Sequence, residues 1–366
     1  MNNSPTVLEI HSKAIKHNLQ YFQSKLQDHT KTLVVIKAFS YGSDAIEIAK
    51  ILADQGIDYL AVSYASEGIE LRNAGINLPI LVLHPQVENF DRIISYNLEP
   101  TIYSQRSLEL FLEKSLNLEK SYPIHLKINS GMNRLGFKKE ERETLTAMLV
   151  SAKKQIKINS IFSHLASSED KGSKEFTLAQ IAYFNDFSDE IAKELGYRPL
   201  KHICNSSGIL EYPEAHFDMV RLGIGLYGFV NIPEETEKLK NTHRLKTKIS
   251  QIQHIEKGES VGYNQSFLAE RPSRIATLSL GYADGLKRVW SNSQVEVAVN
   301  NKPAPIIGKI CMCITMIDVT DIDCQEGDEV VIFETQEQIL ELANKAGTIP
   351  YEILTSISQR VRRELK

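Results

Sequence analysis

Short apolar runs alternate with helical patterns through the first two thirds of the chain. A run of a few apolar, β-branched residues between polar ones is typical of a buried parallel strand. Helical patterns separate most of these runs, and two of them, 43–55 and 65–74, are each followed by the glycine that commonly ends a helix. Eight alternating strands predict an α/β fold, the (β/α)8 or TIM barrel, which typically takes ~250 residues. The predicted strands lie near 33–38, 59–63, 79–83, 99–103, 123–129, 158–164, 200–204 and 218–222.

The pattern changes at residues 232–243, where the sequence becomes polar and charged and starts at a proline. Such a stretch predicts a linker. Beyond it the apolar positions recur with period two, an Asn-Asn turn at 300–301 separates two strand-like runs, and one helix is predicted near 336–346. We therefore expect a barrel domain over residues 1–238 and a mainly β C-terminal domain over residues 239–366.

Two further elements are predicted ahead of the first barrel strand. Residues 6–10 have the composition of a short strand. Residues 11–27 predict an amphipathic helix, because one stripe of its surface is apolar. This stripe consists of Ile15, Leu19, Phe22 and Leu26.

The first predicted barrel strand ends on a lysine, Lys37, and Tyr41 and Gly42 follow at once. Barrel enzymes keep their chemistry at the carboxyl ends of the strands, so this lysine is a candidate active-site residue. The alternative is a strand-end lysine that only extends its amine to water. Polar stretches follow four later strands at the same face, which favours a site there; they are HLKINSGMNRLGF, IFSHLA, HICNSSG and MVRLGIGLYG.

Composition and charge exclude several classes of protein. The formal net charge of −4 gives no general attraction to nucleic acid or to an anionic membrane. No stretch approaches the ~20 apolar residues of a membrane helix, and the N-terminus lacks a signal-peptide pattern, so we expect a cytoplasmic protein. The four cysteines fit a reduced compartment. Cys311 and Cys313 form a C-x-C predicted to lie within an apolar strand, but no further ligands cluster near them, so no metal is expected.

Nine stretches together resemble the alanine racemases, enzymes of fold type III that use pyridoxal 5′-phosphate (PLP). They occur in the family's order from residue 35 to residue 361. The resemblance implies an N-terminal barrel, a C-terminal β domain, a homodimer and a small amino acid as substrate. It also implies a role in supplying D-alanine for peptidoglycan, and the first stretch is most similar to racemases of the Bacteroidetes type. The stretches are VIKAFSYG, HLKINSGMNRLGF, IFSHLA, NSSG, RLGIGLYG, VGYNQSF, LSLGYADG, IGKICM and IPYEILTSISQRV.

The resemblance assigns Lys37 and Tyr263 as the two catalytic bases. Lys37 matches the lysine that binds PLP as a Schiff base and then moves the α-proton on one face of the substrate. Tyr263 matches the tyrosine that a neighbouring subunit contributes to the opposite face. Arg221 matches the arginine that donates to the pyridine nitrogen of PLP. An arginine does not readily give up its proton, which restrains side reactions and argues against a decarboxylase of the same fold type.

The remaining site residues are also implied by resemblance, in three groups. Lys127 matches a lysine that some members carry as a carbamate. Substrate contacts are implied for Arg134, Met312 and Tyr282. Cofactor contacts, mostly to the phosphate, are implied for Tyr41, His164, Asn205, Ser206, Gly223, Ile224 and Tyr351.

Three positions depart from the family's usual pattern. Asn129 and Cys313 each stand where an aspartate is usual, and Lys309 replaces a common arginine. The loss of two negative charges leaves two alternatives to an alanine racemase: a racemase of broader scope, for example on serine, or a PLP-binding protein of weak activity.

Overall fold

The computed structural model describes residues 4–366, and its first domain is a barrel of eight parallel strands. The strand Met219–Leu222 pairs with the first barrel strand, and hydrogen bonds from Asp218 N to Lys201 O (3.1 Å) and from Arg221 N to Cys204 O (3.0 Å) join it to the last-but-one strand. The predicted barrel is confirmed. In chain order its strands are Lys31–Val35, Tyr59–Val62, Ile80–Val82, Glu99–Ile102, Tyr122–Lys127, Ile156–Phe162, Leu200–His202 and Met219–Leu222.

Helices cover the outside of this barrel. The predicted stripe of the first helix is buried at Ile15, Leu19 and Phe22, because it faces the barrel rather than water. The region predicted as a linker contains one short helix, Pro233–Thr236. The other helices of this part of the chain are Ser12–Gln23, Ala45–Ala53, Ala65–Asn73, Phe90–Ser95, Gln105–Ser115, Arg142–Ser151, Lys174–Leu195 and Ser206–Glu211.

The second domain is built on a mainly antiparallel sheet of eight strands. Its longest strand, His243–Ile255, pairs with both Ser273–Leu278 and Glu329–Phe333, so six of the strands close into a ring. Asn300 and Asn301 form the predicted hairpin turn with φ of 51° and 60°. The remaining strands are Val7–Ile10, Glu296–Val299, Lys302–Ile307, Thr315–Asp318 and Arg362–Leu365, with a separate two-stranded ribbon of Ser260–Val261 and Phe267–Leu268.

Three expectations need correction. Strand Val7–Ile10 lies in the second sheet, between His243–Ile255 and Arg362–Leu365, and not with the barrel domain predicted to start at residue 1. A four-residue strand carries no signal of its distant partners, so its pattern alone could not place it. The C-x-C of Cys311 and Cys313 lies in a loop that precedes the strand beginning at Thr315.

The third correction concerns the helices of the second domain. Gln336–Lys345 confirms the single predicted helix, but a second one, Pro350–Thr355, follows it. Its six residues are too few to show a helical period, and its only signal is the proline at its first position.

The chain makes a left-handed helical turn directly after the first barrel strand. Residues 38–41 all have φ between 52° and 58°, although none of them is glycine. Such a turn costs roughly 1–2 kcal/mol per residue for L-amino acids. Contacts on both sides hold it: Glu67 Oε1 accepts from Ala38 N at 2.7 Å, and Arg363 of the second domain donates from Nη2 to Gly42 O at 2.9 Å. The second domain therefore helps to fix the backbone that carries Lys37.

Gly42 is the residue at which this turn meets the second domain most closely. Its φ is +83°, and a Cβ there would lie 2.1 Å from Leu354 O. We expect Gly42→Ala to lower the thermal midpoint clearly more than Gly56→Ala, where φ is +70° but no atom lies within 4 Å of the added carbon. Differential scanning calorimetry of the two variants measures this, and equal shifts would contradict the close approach.

Candidate active site

A cavity of about 460 Å³ opens at the carboxyl ends of the barrel strands. A wider groove of about 720 Å³ lies between helices Arg142–Ser151 and Lys174–Leu195, but none of the predicted site residues lines it. Every barrel residue implied by the resemblance lines the cavity, and one residue of the second domain joins them. These residues are Lys37, Tyr41, Lys127, Arg134, His164, Asn205, Ser206, Arg221, Gly223, Ile224 and Tyr351.

Four cationic side chains surround the cavity: Lys37, Lys127, Arg134 and Arg221. Burial, followed by the positive charge of Arg134, lowers the pKa of Lys37 below its ordinary value. Burial and the charges of Arg221 and Arg134 hold the pKa of Lys127 well below its ordinary value. Both amines therefore lose a proton more readily than an exposed lysine, and the surroundings favour an anionic ligand.

Arg221 is the most enclosed of these cations. Its Nη1 donates to His202 Nδ1 at 3.0 Å, and its Nη2 donates to Ser163 O, Ile203 O and His164 Nδ1 at 2.7, 2.9 and 3.1 Å. Burial lowers the pKa of Arg221 to about 10, so it remains charged at neutral pH. All its side-chain hydrogen bonds within residues 4–366 use the two terminal nitrogens, which leaves the Nε–H free to meet an acceptor such as a ring nitrogen.

His164 lies beside this arginine at the cavity wall. Burial and the charge of Arg221 hold the pKa of His164 well below its ordinary value, so its imidazole is neutral. The same wall includes Phe162, whose ring centroid lies 4.4 Å from Lys127 Nζ and 5.5 Å from Arg221 Cζ. Cationic groups near an aromatic ring are attracted to its face, and Phe162 was not among the predicted site residues although it lies in the IFSHLA stretch.

Tight backbone packing forms a cradle for a phosphate at one end of the cavity. Ser206 Oγ accepts from Gly223 N at 3.0 Å and from Gly225 N at 3.1 Å, so its own hydroxyl hydrogen remains free to donate. A Cβ at Gly223 would lie 2.7 Å from Tyr41 Oη, so only glycine leaves room there. These donors fit a phosphate group, and the ring-nitrogen donor of Arg221 fits the pyridine end of PLP.

The two tyrosines of the cradle keep their phenol hydrogens at neutral pH. Burial raises the pKa of Tyr41, and burial raises the pKa of Tyr351 to about 12. Their rings lie 6.1 Å apart, one from each domain. Asn205 has a different role, because its Oδ1 accepts from Gly208 N and Ser168 Oγ at 2.9 and 2.8 Å and so begins the helix that carries Ser206.

Apart from Tyr351, the predicted residues of the second domain do not line this cavity. Tyr263, Tyr282 and Met312 are 66%, 42% and 58% exposed. Their loops are packed together, because Tyr282 N donates to Cys311 O at 3.0 Å and Ala283 N donates to Met312 O at 2.9 Å. The second domain thus presents two tyrosines and a methionine at its surface, outside the lining of the cavity of its own chain.

The segment of Tyr263 is a strained turn with a defined shape. Gly262, Asn264 and Gln265 have φ of 77°, 62° and 51°. A Cβ at Gly262 would lie 3.0 Å from Met316 Cε, so the turn packs closely on strand Thr315–Asp318. Tyr263 is therefore held at the tip of a tight turn and not on a free loop.

Asn129 and Cys313, which stand where the family usually has aspartate, both have hydrogen-bond partners in the structure. Asn129 Oδ1 accepts from Gly131 N and Asn133 N at 3.2 and 3.0 Å, which shapes the loop before Arg134 as an aspartate oxygen would. Cys313 Sγ accepts from Arg360 Nη2 at 3.2 Å, and Arg360 also donates to an aspartate. Nothing in the structure explains Lys309.

Family models describe nearly the whole chain. Residues 10–230 match the model of the alanine racemase N-terminal domain, and residues 242–365 match that of the alanine racemase C-terminal domain. The chain belongs to the alanine racemase family.

Within residues 4–366, no helix is long and apolar enough to cross a membrane, and no group of three or more His, Cys, Asp or Glu could hold a metal ion.

Relatives in the alanine racemase family are similar over their full length. Alanine racemase 2 of Caldanaerobacter subterraneus subsp. tengcongensis is 37% identical, over 98% of this chain and 94% of the relative. Alanine racemase of Helicobacter pylori J99 is 33% identical, over 97% of each chain. The structure of the alanine racemase of Clostridium difficile 630 has a TM-score of 0.93 at 34% identity, over 100% of this chain and 96% of that one.

One further alanine racemase structure bears on the cofactor. The enzyme of Bartonella henselae, described with covalently bound pyridoxal phosphate, has a TM-score of 0.87 at 30% identity and covers 99% of both chains.

Proposed function

We propose that this protein interconverts L-alanine and D-alanine with PLP as its cofactor. The observation that carries the proposal is the single cavity that brings together a lysine of lowered pKa, a ring-nitrogen donor and a phosphate cradle, in Lys37, Arg221 and Ser206. Membership of the alanine racemase family supports the same reaction and substrate.

The cavity residues would hold PLP at three points. The Lys37 amine would bind its carbonyl carbon, the cradle around Ser206 and Gly223 would bind its phosphate, and Arg221 would donate to its pyridine nitrogen. The bound cofactor would supply an electron sink for the pair released as the substrate loses its α-proton. Because Arg221 keeps its own proton, it would leave the ring nitrogen unprotonated, which would limit electron withdrawal and disfavour decarboxylation or transamination.

Two bases on opposite faces of the substrate are needed for racemisation, because one held group cannot reach both faces. Lys37 serves one face, and its lowered pKa suits an amine that both takes and returns a proton. Tyr263 serves the other face from a second subunit. Its high exposure and its position outside its own cavity support a homodimer in which each site is shared.

The cationic residues of the cavity that are not assigned to PLP would recognise the substrate. Arg134 offers a planar, bidentate donor to the alanine carboxylate. Met312 contributes its backbone N–H, and Tyr282 lies at the entrance, both from the second subunit. Because the pKa of Lys127 is lowered, its amine more readily takes the unprotonated form that reacts with carbon dioxide, releasing a proton and forming a carbamate. The carbamate would place a negative charge beside Arg134 and orient it.

A racemase of broader scope is the second candidate function. Ser63 and His84 also line the cavity, and both could hydrogen-bond the hydroxyl of serine. Comparing kcat/KM for alanine and serine separates the two candidates. The contacts of Asn129 and Cys313 give no support to a PLP-binding protein of weak activity.

We also propose a cytoplasmic location and a role in supplying D-alanine for peptidoglycan, both of which follow from the family and from the charge and cysteine content of the chain. The support for a Bacteroidetes origin is limited to the stretch VIKAFSYG, which is most similar in sequence to racemases of that type.

The two cavity lysines provide a direct test of the cofactor assignment. Both amines have a lowered pKa, but only Lys37 begins the left-handed turn that lies next to the phosphate cradle. We expect borohydride reduction of the PLP-loaded protein to fix the cofactor on residue 37, as peptide mapping would show. Lys37→Ala should lose this attachment and Lys127→Ala should retain it, whereas attachment to residue 127 would contradict the assignment.

Exchange of the α-proton in deuterated water tests the two-base proposal. We expect Tyr263→Phe to slow exchange of one alanine enantiomer by about 100-fold or more while the other enantiomer still exchanges through Lys37. Tyr96→Phe, which removes a phenol directly after helix Phe90–Ser95 and outside the cavity, should leave exchange of both enantiomers intact. Equal rates of exchange for both enantiomers in Tyr263→Phe would contradict the assignment of Tyr263 as a catalytic base.

A further inference from the structure

Five neighbouring barrel strands contribute one side chain each to a continuous hydrogen-bonded chain inside the barrel, here called the polar chain. It runs from Glu99 near the amino end of its strand to Arg221 at the cavity. The three residues between them are fully buried. The links are Glu99 Oε2 to His125 Nε2 (2.6 Å), His125 Nδ1 to Ser160 Oγ (2.6 Å), Ser160 Oγ to His202 Nε2 (2.8 Å) and His202 Nδ1 to Arg221 Nη1 (3.0 Å).

The donors of the polar chain must all point the same way. Arg221 can only donate, so His202 Nδ1 accepts and the proton of this neutral imidazole lies on Nε2. That Nε2–H donates to Ser160 Oγ, whose own hydrogen then donates to His125 Nδ1. His125 in turn carries its proton on Nε2 and donates to Glu99. Burial and the charge of Arg221 hold the pKa of His202 well below its ordinary value, in agreement with a neutral ring.

At the other end of the polar chain, the ionised carboxylate of Glu99 can only accept hydrogen bonds. Burial alone would raise the pKa of Glu99, but hydrogen bonds from His125, Asn159 and Tyr59 outweigh it and lower the pKa below its ordinary value. Asn159 Nδ2 donates to the same oxygen at 3.0 Å. With His125 in its neutral form, a donor at one end and an ionised acceptor at the other leave only one arrangement of the protons between them.

We propose that Glu99 is a positioning residue for Arg221, acting through His125, Ser160 and His202 to keep His202 Nδ1 as an acceptor. This inference rests on the proposed function, in which Arg221 meets the pyridine nitrogen of PLP. Without the carboxylate, His125 and Ser160 can reverse their donors. His202 would then present an Nδ1–H to the Nη1–H of Arg221, and the guanidinium would have to turn away.

Three variants distinguish a positioning role of Glu99 from a role in packing. Glu99→Met removes the acceptor at similar length, Glu99→Gln restores an acceptor oxygen without the charge, and Thr101→Val removes a buried hydroxyl from the same strand that bonds only Val82 O. We expect Glu99→Met to lower kcat about tenfold with a smaller change in KM, the loss typical of a residue that orients a site group. Glu99→Gln should recover most of this activity, and Thr101→Val should match the unsubstituted enzyme.

Nitrogen-15 NMR spectra of histidine-labelled protein report which histidine ring nitrogens of the polar chain carry a proton. This measurement does not depend on catalytic turnover. In the unsubstituted protein with PLP bound, the signals of His202, assigned by their loss in His202→Gln, should report a proton on Nε2 and none on Nδ1. Glu99→Met should show a second form protonated on Nδ1. Should the protein fail to racemise any amino acid, the proposed function falls while this spectrum still decides on the polar chain.

Two results would overturn the proposal: a folded Glu99→Met enzyme with unchanged kcat and His202 signals, or a Thr101→Val enzyme impaired as strongly as Glu99→Met. If Glu99→Met does not fold, Ser160→Ala breaks the polar chain one link nearer to Arg221. It should lower kcat in the same way, and unchanged activity there would equally contradict the proposal.

Discussion

The structure depends most on the burial of one guanidinium, that of Arg221, at the base of the cavity. Removing such a charge from water costs several kcal/mol unless its hydrogens all find acceptors. Two histidines and the backbone carbonyls of three neighbouring residues provide them. These acceptors fix the ends of the adjacent strands, keep His164 and His202 neutral and leave one N–H for the cavity. The same arginine therefore organises the barrel end and determines what the cavity can bind.

The second domain completes this arrangement from outside. Arg363 holds the carbonyl of Gly42, and Tyr351 reaches the phosphate cradle beside Tyr41. The left-handed turn that begins at Lys37 is thus stabilised by both domains. At the same time Tyr263, Tyr282 and Met312 are exposed and do not line the cavity of their own chain, so one domain supports a site in its own chain and, in the proposed dimer, supplies residues to another.

Much of the fold follows from local pattern. Each barrel strand includes apolar residues and follows a helical pattern or a turn, and the structure places each strand within a few residues of its prediction. The face that carries the cavity was also predictable, since the carboxyl ends of parallel strands meet there. The individual cavity residues, apart from Lys37, came only from the resemblance to the alanine racemases. Neither argument required knowledge of side-chain contacts.

The features that the sequence did not reveal are non-local. Residues 38–41 contain no glycine or asparagine, so their left-handed turn has no local signal and depends on Glu67 and Arg363. The sheet that receives strand Val7–Ile10 is decided by partners more than two hundred residues away. Likewise, Glu99, His125 and Ser160 are ordinary polar residues within their strands, and only the barrel brings them into one chain with Arg221.

The central claim is that each site combines Lys37 of one chain with Tyr263 of another. Hybrid dimers of Lys37→Ala and Tyr263→Phe subunits, purified through two different tags, test it most directly. Such a hybrid contains one site with both bases and one with neither, so it should show about half the racemase activity of the unsubstituted dimer although both parents are inactive. Hybrids no more active than their parents would contradict the shared site.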